Sequence, residues 1–153
     1  MLPYRERLFP SLWIFLSTAL VIPASLLVFL PISPIAGVVC AIVLYLGTIG
    51  ALVATSPVIE VDEAGITAGR ARLPIEFSGE AESFTGPYAT LERGRQLDAR
   101  AWLVIRGWID PVVKIPVRDP EDPAPYWLVS TRKPQRIMAA IETAREARGP
   151  SEG

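Results

Sequence analysis

Carboxylates and arginines in the second half of the chain are the residues whose types could support chemistry. Asp119, Glu121 and Asp122 could attract a divalent cation, but prolines interrupt them and their spacing is not that of an EF-hand, so a solvated loop is expected. The chain has no histidine, and Cys40 is its only cysteine. A Cys/His metal site, a histidine base and an intrachain disulfide are therefore excluded. We expect no cofactor, no bound metal and no catalytic residue.

A second polar group consists of Arg100, Arg106 and Asp110, which could form a site with Ser130 and Thr131. Their spacing contains no nucleophile–base pair, and the chain has no glycine-rich phosphate loop. Together with the long apolar segment between Arg7 and Glu60 described below, this absence makes an uncharacterised, non-enzymatic, membrane-anchored binding or assembly module the leading hypothesis. The alternative is a membrane-bound enzyme that acts on a lipid or cell-envelope intermediate, which would need acid and base groups converging in a deep polar pocket.

Basic and aromatic residues between positions 70 and 136 are candidates for a surface that contacts anionic lipid headgroups or another membrane protein. They are Arg70, Arg72, Trp108, Arg132, Lys133 and Arg136. Each basic residue near an anionic leaflet contributes about 1 kcal/mol, whereas ordinary solvated charge is the alternative interpretation. Trp102 and Trp127 are expected in a core, and Trp108, close to a turn, is the aromatic candidate for exposure. The net charge of −1 gives no support for nucleic-acid binding.

A long apolar segment precedes these candidates. Between Arg7 and Glu60 the only ionisable residues are Cys40 and Tyr45. Because a bilayer-crossing helix needs about 20 apolar residues, this segment is long enough to cross twice. Two prolines near position 32 force a turn. We predict that residues 1–56 form a transmembrane helical hairpin with spans at about 11–30 and 35–55, the first kinked at Pro23.

The orientation of the hairpin follows from its charged flanks. Arg5 and Arg7 precede the first span, and the turn between the spans carries no charge. The positive-inside rule therefore predicts a multi-pass protein of the cell (inner) membrane with both termini in the cytoplasm. A cleaved signal peptide, with the same two arginines as its basic region, is the alternative interpretation of the first segment.

Polar residues inside the spans are expected to meet across the hairpin. Antiparallel helices joined near position 32 place Tyr45 within reach of Ser17 or Thr18, and Thr48 near Ser17. Such an interhelical hydrogen bond contributes about 1 kcal/mol. Small residues four apart permit close approach of a helix, either within the hairpin or in a homo-oligomer, and they are Gly37/Ala41 and Gly47/Ala51.

The remaining sequence predicts a cytoplasmic β-rich domain at residues 57–148 and a disordered tail at 149–153. Strands are predicted at 58–61, 66–68, 72–77, 101–108, 112–117 and 126–130, with Gly65 at positive φ in the first turn. Gly86-Pro87 is expected to break the chain before a short helical turn at 89–95. An amphipathic helix is predicted at 134–147. The fold class is therefore membrane α+β, with a small β-barrel or bent antiparallel sheet closed by the C-terminal helix, in the manner of pleckstrin-homology-like domains.

Five segments occur in a characteristic order and spacing: YRERL at 4–8, SPVIEV at 56–61, GRARLP at 69–74, DARAWLV at 98–104 and YWLVSTRKP at 126–134. Together they resemble an actinobacterial family of small membrane proteins classed as a domain of unknown function. The resemblance implies an inner-membrane location. It implies no activity, cofactor or functional residue.

Overall fold

A computed structural model describes residues 3–149, which divide into two compact units. The β unit comprises residues 3–8 and 57–149, and the helical unit comprises Phe9–Ser56. Along the described residues the chain therefore leaves the β unit for the helical unit and returns to it. Of the predicted disordered tail, only Gly149 lies within the described residues.

Three helices form the helical unit: α1 (Leu12–Ala19), α2 (Val21–Phe29) and α3 (Pro34–Ala54). The stretches Leu12–Phe29 and Pro34–Ala54 are long and apolar enough to cross a membrane, as predicted. The break between α1 and α2 lies at Leu20, one turn before the predicted position. Pro23 explains it, because proline has no N–H to donate to the carbonyl group of Ala19. At the break, the Leu20 N–H donates to the carbonyl of Ser17, three residues before it, at 3.2 Å.

Small residues bring α3 against α2. Gly37 and Ala41 are buried, and a Cβ at Gly37 would lie 3.4 Å from the side chains of Leu26 and Phe29. A Cβ added at Gly47 would have no neighbouring atom within 4 Å. The first pair of small residues therefore packs the hairpin, while Gly47 does not pack within the described chain.

The first sheet is antiparallel, in the order β1 (Tyr4–Arg7), β2 (Val58–Val61), β3 (Gly65–Ala68) and β4 (Ala71–Pro74). The predicted β2–β3 hairpin is confirmed, but the predicted positive φ at Gly65 is wrong. Glycine is needed there because a Cβ would collide with the backbone carbonyl of Leu73. The positive φ of +63° occurs at Gly69, in the two-residue turn between β3 and β4.

The second sheet has the order β5-β7-β8-β6, formed by β5 (Glu82–Phe84), β6 (Trp102–Val104), β7 (Val112–Pro116) and β8 (Tyr126–Ser130). β6 runs parallel to β8. The described residues thus form two sheets without a closed barrel, so the expectation of a small barrel or one bent antiparallel sheet is wrong. Residues 75–77 form a 3-10 turn rather than the end of a strand.

Helices close the β unit on two sides. The predicted C-terminal helix is confirmed as α5 (Pro134–Arg148), and its residues Ile137, Ile141 and Ala144 are buried in a core shared by both sheets. Gly86-Pro87 does not break the chain but begins α4 (Gly86–Arg93), since proline suits the first helical turn. Because both faces of β8 are covered, all five of its residues are buried, which explains its continuous apolar sequence.

Candidate functional site

One end of the first sheet is the end at which the chain leaves β1 for the helical unit and returns to β2. The backbone N–H of Leu8 donates to the carbonyl of Pro57 at 2.9 Å, so the end of β1 meets the start of β2. The N–H of Gly69 donates to the carbonyl of Val58 at 3.1 Å, which brings the β3–β4 turn to the same end. We call this the junction end; it carries Arg7 and, in the turn, Arg70.

The second sheet contributes an aromatic residue to the junction end. The indole N–H of Trp102, the first residue of β6, donates to the carbonyl of Ala68 at 3.2 Å. Its ring lies 6.4 Å from that of Trp127, with an interplanar angle of 48°. Trp127 is buried, whereas Trp102 remains 37% exposed. The expectation that both tryptophans lie in the core therefore holds for Trp127 alone.

The Glu6 carboxylate, which we call the Glu6 hub, holds β1 against the segment that leads into α5. The Glu6 carboxylate accepts hydrogen bonds from the Tyr4 hydroxyl at 2.7 Å, from the fully buried Thr131 hydroxyl and from the Arg132 N–H at 2.8 Å. Thr131 also accepts from the Lys133 N–H at 3.0 Å. Burial of the phenol, and next its bond to Glu6, raise the pKa of Tyr4 to about 12. Arg132 and Lys133 are thereby fixed beside β1.

Arg72 is another of the basic surface candidates, but its side chain is directed away from Arg132 and Lys133. Its guanidinium contacts both carboxylate oxygens of Asp62 at 3.2 Å, in the turn at the opposite end of the sheet. Slight burial acts to raise the pKa of Asp62, but hydrogen bonds from the Gly65 and Ala64 N–H groups and from Arg72 outweigh it and hold this pKa below its ordinary value. Of the six surface candidates, Arg132 and Lys133 lie beside β1, and Arg70 lies in the β3–β4 turn at the junction end.

The other two surface candidates lie nearby but differ in character. Arg136 is in the first turn of α5, where its charge favours ionisation of Tyr4. Trp108 is half-buried and packs against the main core, just before Ile109, whose N–H closes a turn onto Arg106 at 3.0 Å. Trp102 is thus more exposed than Trp108. The position of Trp102 on the edge strand β6 depends on the parallel pairing of β6 with β8, which no local sequence pattern predicts.

The polar residues considered for catalysis make structural contacts. Arg100 pairs with the carboxylate two residues before it at 3.0 Å. The Ser130 hydroxyl accepts from the N–H of Arg106 at 2.9 Å, and Asp110 accepts from the N–H of Gly86 at 2.8 Å, at the start of α4. In residues 3–149 no group of three or more acidic or cysteine side chains could hold a metal ion. The carboxylates of 119–122 bond to nearby backbone N–H groups in their loop.

One ion pair with a buried carboxylate joins α4 to the second sheet. The Glu92 side chain is only 7% exposed, and it accepts from the Lys114 ammonium at 3.4 Å. The same ammonium lies 4.5 Å from the ring centroid of Tyr126. The pair fixes α4 against β7. The helical period of α4 alone cannot reveal it, because Lys114 comes from a distant strand.

A charged cleft of about 620 Å³ lies between the 3-10 turn and the end of α5. Its arginines and glutamates neutralise one another, for example through the ion pairs Arg148–Glu76 and Arg145–Glu142. Arg118 completes the basic set. Equal numbers of both signs give this cleft no net attraction for an anion.

The polar residues of the helical unit bond mainly within their own helices. The hydroxyls of Thr18 and Thr48 donate to the carbonyls one turn before them, at 2.8 and 2.7 Å. Tyr45 is half-buried and lines an apolar groove of about 330 Å³ between α2 and α3. Among residues 3–149 no hydrogen bond joins Tyr45 to Ser17 or Thr18.

These features define a class of protein in which an apolar helical hairpin is inserted after the first strand of a two-sheet β unit. The chain belongs to the family described as "Protein of unknown function (DUF3093)", whose model matches residues 3–141. That match confirms the resemblance to a domain of unknown function, while the actinobacterial source stays a prediction. No curated protein and no solved structure matches the chain.

Proposed function

We propose that the protein is integral to the cell (inner) membrane, that its hairpin crosses the bilayer twice, and that its β unit is a non-enzymatic binding or assembly module. The exposure of the helices supports insertion. Leu12, Leu27 and Ile35 are 74%, 75% and 77% exposed, as are many of their apolar neighbours to a lesser degree. A continuous apolar surface of this kind is typical of segments that contact lipid or another protein. The buried core helix of a soluble protein would not expose it.

The pairing of β1 with β2 is the observation that carries the proposal. These strands come directly before and after the hairpin, and Arg7 pairs with Val58 at their junction end. Since both strands belong to one sheet, both flanks of the hairpin must lie on one side of a membrane. An even number of crossings follows, as two spans require. Arg5 and Arg7 favour the cytoplasm for this side, which supports a cytoplasmic location of both termini.

Charge at the junction end supports anionic lipid headgroups as the binding partner. Arg7, Arg70, Arg132 and Lys133 lie at or beside it, and the adjacent Glu6 carboxylate is occupied by three hydrogen-bond donors. The acidic Asp62–Glu63 turn lies at the other end of the sheet. A membrane with an anionic cytoplasmic leaflet attracts the first end and repels the second.

Analysis of lipids and proteins that co-purify after crosslinking in the membrane tests this proposal. The wild-type chain should enrich anionic over zwitterionic lipid, and neutralising Arg132 and Lys133 together as glutamines should reduce that enrichment. The matched control neutralises Arg118 and Arg145 at the charged cleft and should leave it unchanged. Recovery of a monomer with neither lipid enrichment nor a partner would contradict a binding or assembly role, and capture of one defined membrane protein would assign the surface to that partner.

We further propose a distant relationship of the β unit to pleckstrin-homology-like domains. Two packed sheets followed by a closing C-terminal helix support this relationship. The parallel pairing of β6 with β8 departs from an all-antiparallel arrangement.

A further inference from the structure

We propose that Trp102 and Arg70 form a membrane-interface contact that seats the β unit on the headgroups of the bilayer crossed by its own hairpin. The inference rests on the proposed membrane insertion and deepens it, since it assigns a lipid contact to two particular side chains. Neither the family match nor the sequence pattern assigns such a role to Trp102.

The setting of Trp102 suits an interfacial side chain. One side of its indole packs beside Trp127, and its N–H is fixed on the Ala68 carbonyl, yet more than a third of the residue stays exposed. A tryptophan in a core alone would be covered, as Trp127 is. Tryptophan is enriched at membrane–water interfaces, where a large apolar ring and a satisfied polar group are both accommodated.

Arg70 adds a positive charge two residues after Ala68, whose carbonyl accepts from this ring. It is exposed in the tight turn that follows Ala68, the residue to which Trp102 is bonded. Among the ion pairs of residues 3–149 none includes Arg70, whereas Arg72 is held by Asp62. The guanidinium of Arg70 is therefore available to a lipid phosphate at the junction end.

Chain connectivity limits how far this contact can lie from the membrane. Only three residues separate Ala54, the end of α3, from Val58, the start of β2. Fully extended, they span about 14 Å, and Gly69 is hydrogen-bonded to Val58 itself. A headgroup layer is about 5–8 Å thick on each side of the hydrocarbon core. With α3 inserted as proposed, the junction end is thus held within about 14 Å of the end of this span, in or next to the headgroup layer, where lipid headgroups are the concentrated anions.

Quenching of tryptophan fluorescence by brominated lipids tests the contact in the full chain reconstituted in vesicles. The vesicles contain phosphatidylcholine brominated either near the headgroup or deep in the acyl chain, with or without phosphatidylglycerol. Trp102→Phe should remove a large part of the quenching by the shallow bromines. The matched control, Trp108→Phe, should leave this part in place because Trp108 is packed against the core. Equal shallow quenching in Trp102→Phe and wild type would overturn the proposal.

A second pair of variants tests the charge without altering the core. Arg70→Gln should reduce the increase in shallow quenching that phosphatidylglycerol causes, whereas Arg72→Gln should retain it in full. Identical behaviour of the two variants would contradict a role for Arg70. Trp13→Phe reports insertion separately, since Trp13 lies in α1. If its removal changes no quenching at all, the hairpin is outside the bilayer and the proposed function itself fails, together with this contact.

Discussion

Removing the Glu6 carboxylate should destabilise the β unit far more than removing a neighbouring carboxylate. Glu6 accepts three hydrogen bonds that hold β1 to the segment before α5. In Glu6→Ala the buried Thr131 hydroxyl loses its acceptor, while the Arg132 N–H, which is exposed, can turn to water. Hydrogen bonds to a charged group contribute about 1.5–3 kcal/mol when desolvated, so we expect a total loss of about 2–4 kcal/mol.

Glu60→Ala on the adjacent strand is the matched control. Glu60 pairs with Arg5 at 3.1 Å, but both side chains are well exposed, and such pairs contribute about 0–1 kcal/mol. Thermal unfolding of the full chain in nanodiscs, followed by tryptophan fluorescence, to which the buried Trp127 contributes, measures both variants. For a unit of this size about 1 kcal/mol corresponds to 4–8 °C in Tm. Equal Tm values for Glu6→Ala and Glu60→Ala would refute the idea that the hub holds β1 in place.

Three further predictions concern the β unit. Because the pKa of Tyr4 is raised from 10.0 to about 12 in the folded state, stability should be fully present below pH 10 and fall as pH rises towards 12; a pH series of unfolding curves measures this fall, which Tyr4→Phe should reduce. Gly65→Ala should cost about 1–3 kcal/mol in denaturant titration because its Cβ meets a backbone carbonyl, while Gly107→Ala, in open space, should cost little. Glu92→Ala should cost about 1–3 kcal/mol by the same titration, since it leaves the Lys114 ammonium without its carboxylate; a loss no greater than that of an exposed ion pair would contradict its structural role.

Local patterns predicted the elements that depend on local physics. The apolar run without charges identified both long helical stretches, and the continuous apolar sequence of Tyr126–Ser130 identified β8 with its full bounds. The stripe of Ile137 and Ile141 likewise identified α5, because helix amphipathicity is written in consecutive residues.

Pairing between distant segments could not be predicted in the same way. The strand Tyr4–Arg7 is short and charged, and it becomes a strand only because β2, more than fifty residues later, supplies its partner. β6 is three residues long and parallel to β8, so neither its length nor the exposure of Trp102 follows from its own sequence. The hydrogen bonds of the Glu6 hub could not be predicted for the same reason, because Thr131 lies far along the chain from Glu6.

The central claim, a hairpin that crosses the membrane twice and returns the chain to the cytoplasm, is tested most directly by cysteine accessibility. Cys40→Ala provides a cysteine-free chain, into which Ile32→Cys in the hairpin turn or Ala64→Cys in the exposed β2–β3 turn is introduced. In intact cells whose outer barrier admits the reagent, a maleimide that cannot cross the inner membrane should label position 32 and should label position 64 only after that membrane is opened. Labelling of position 64 in intact cells, or protection of both positions until the membrane is opened, would contradict the proposed topology.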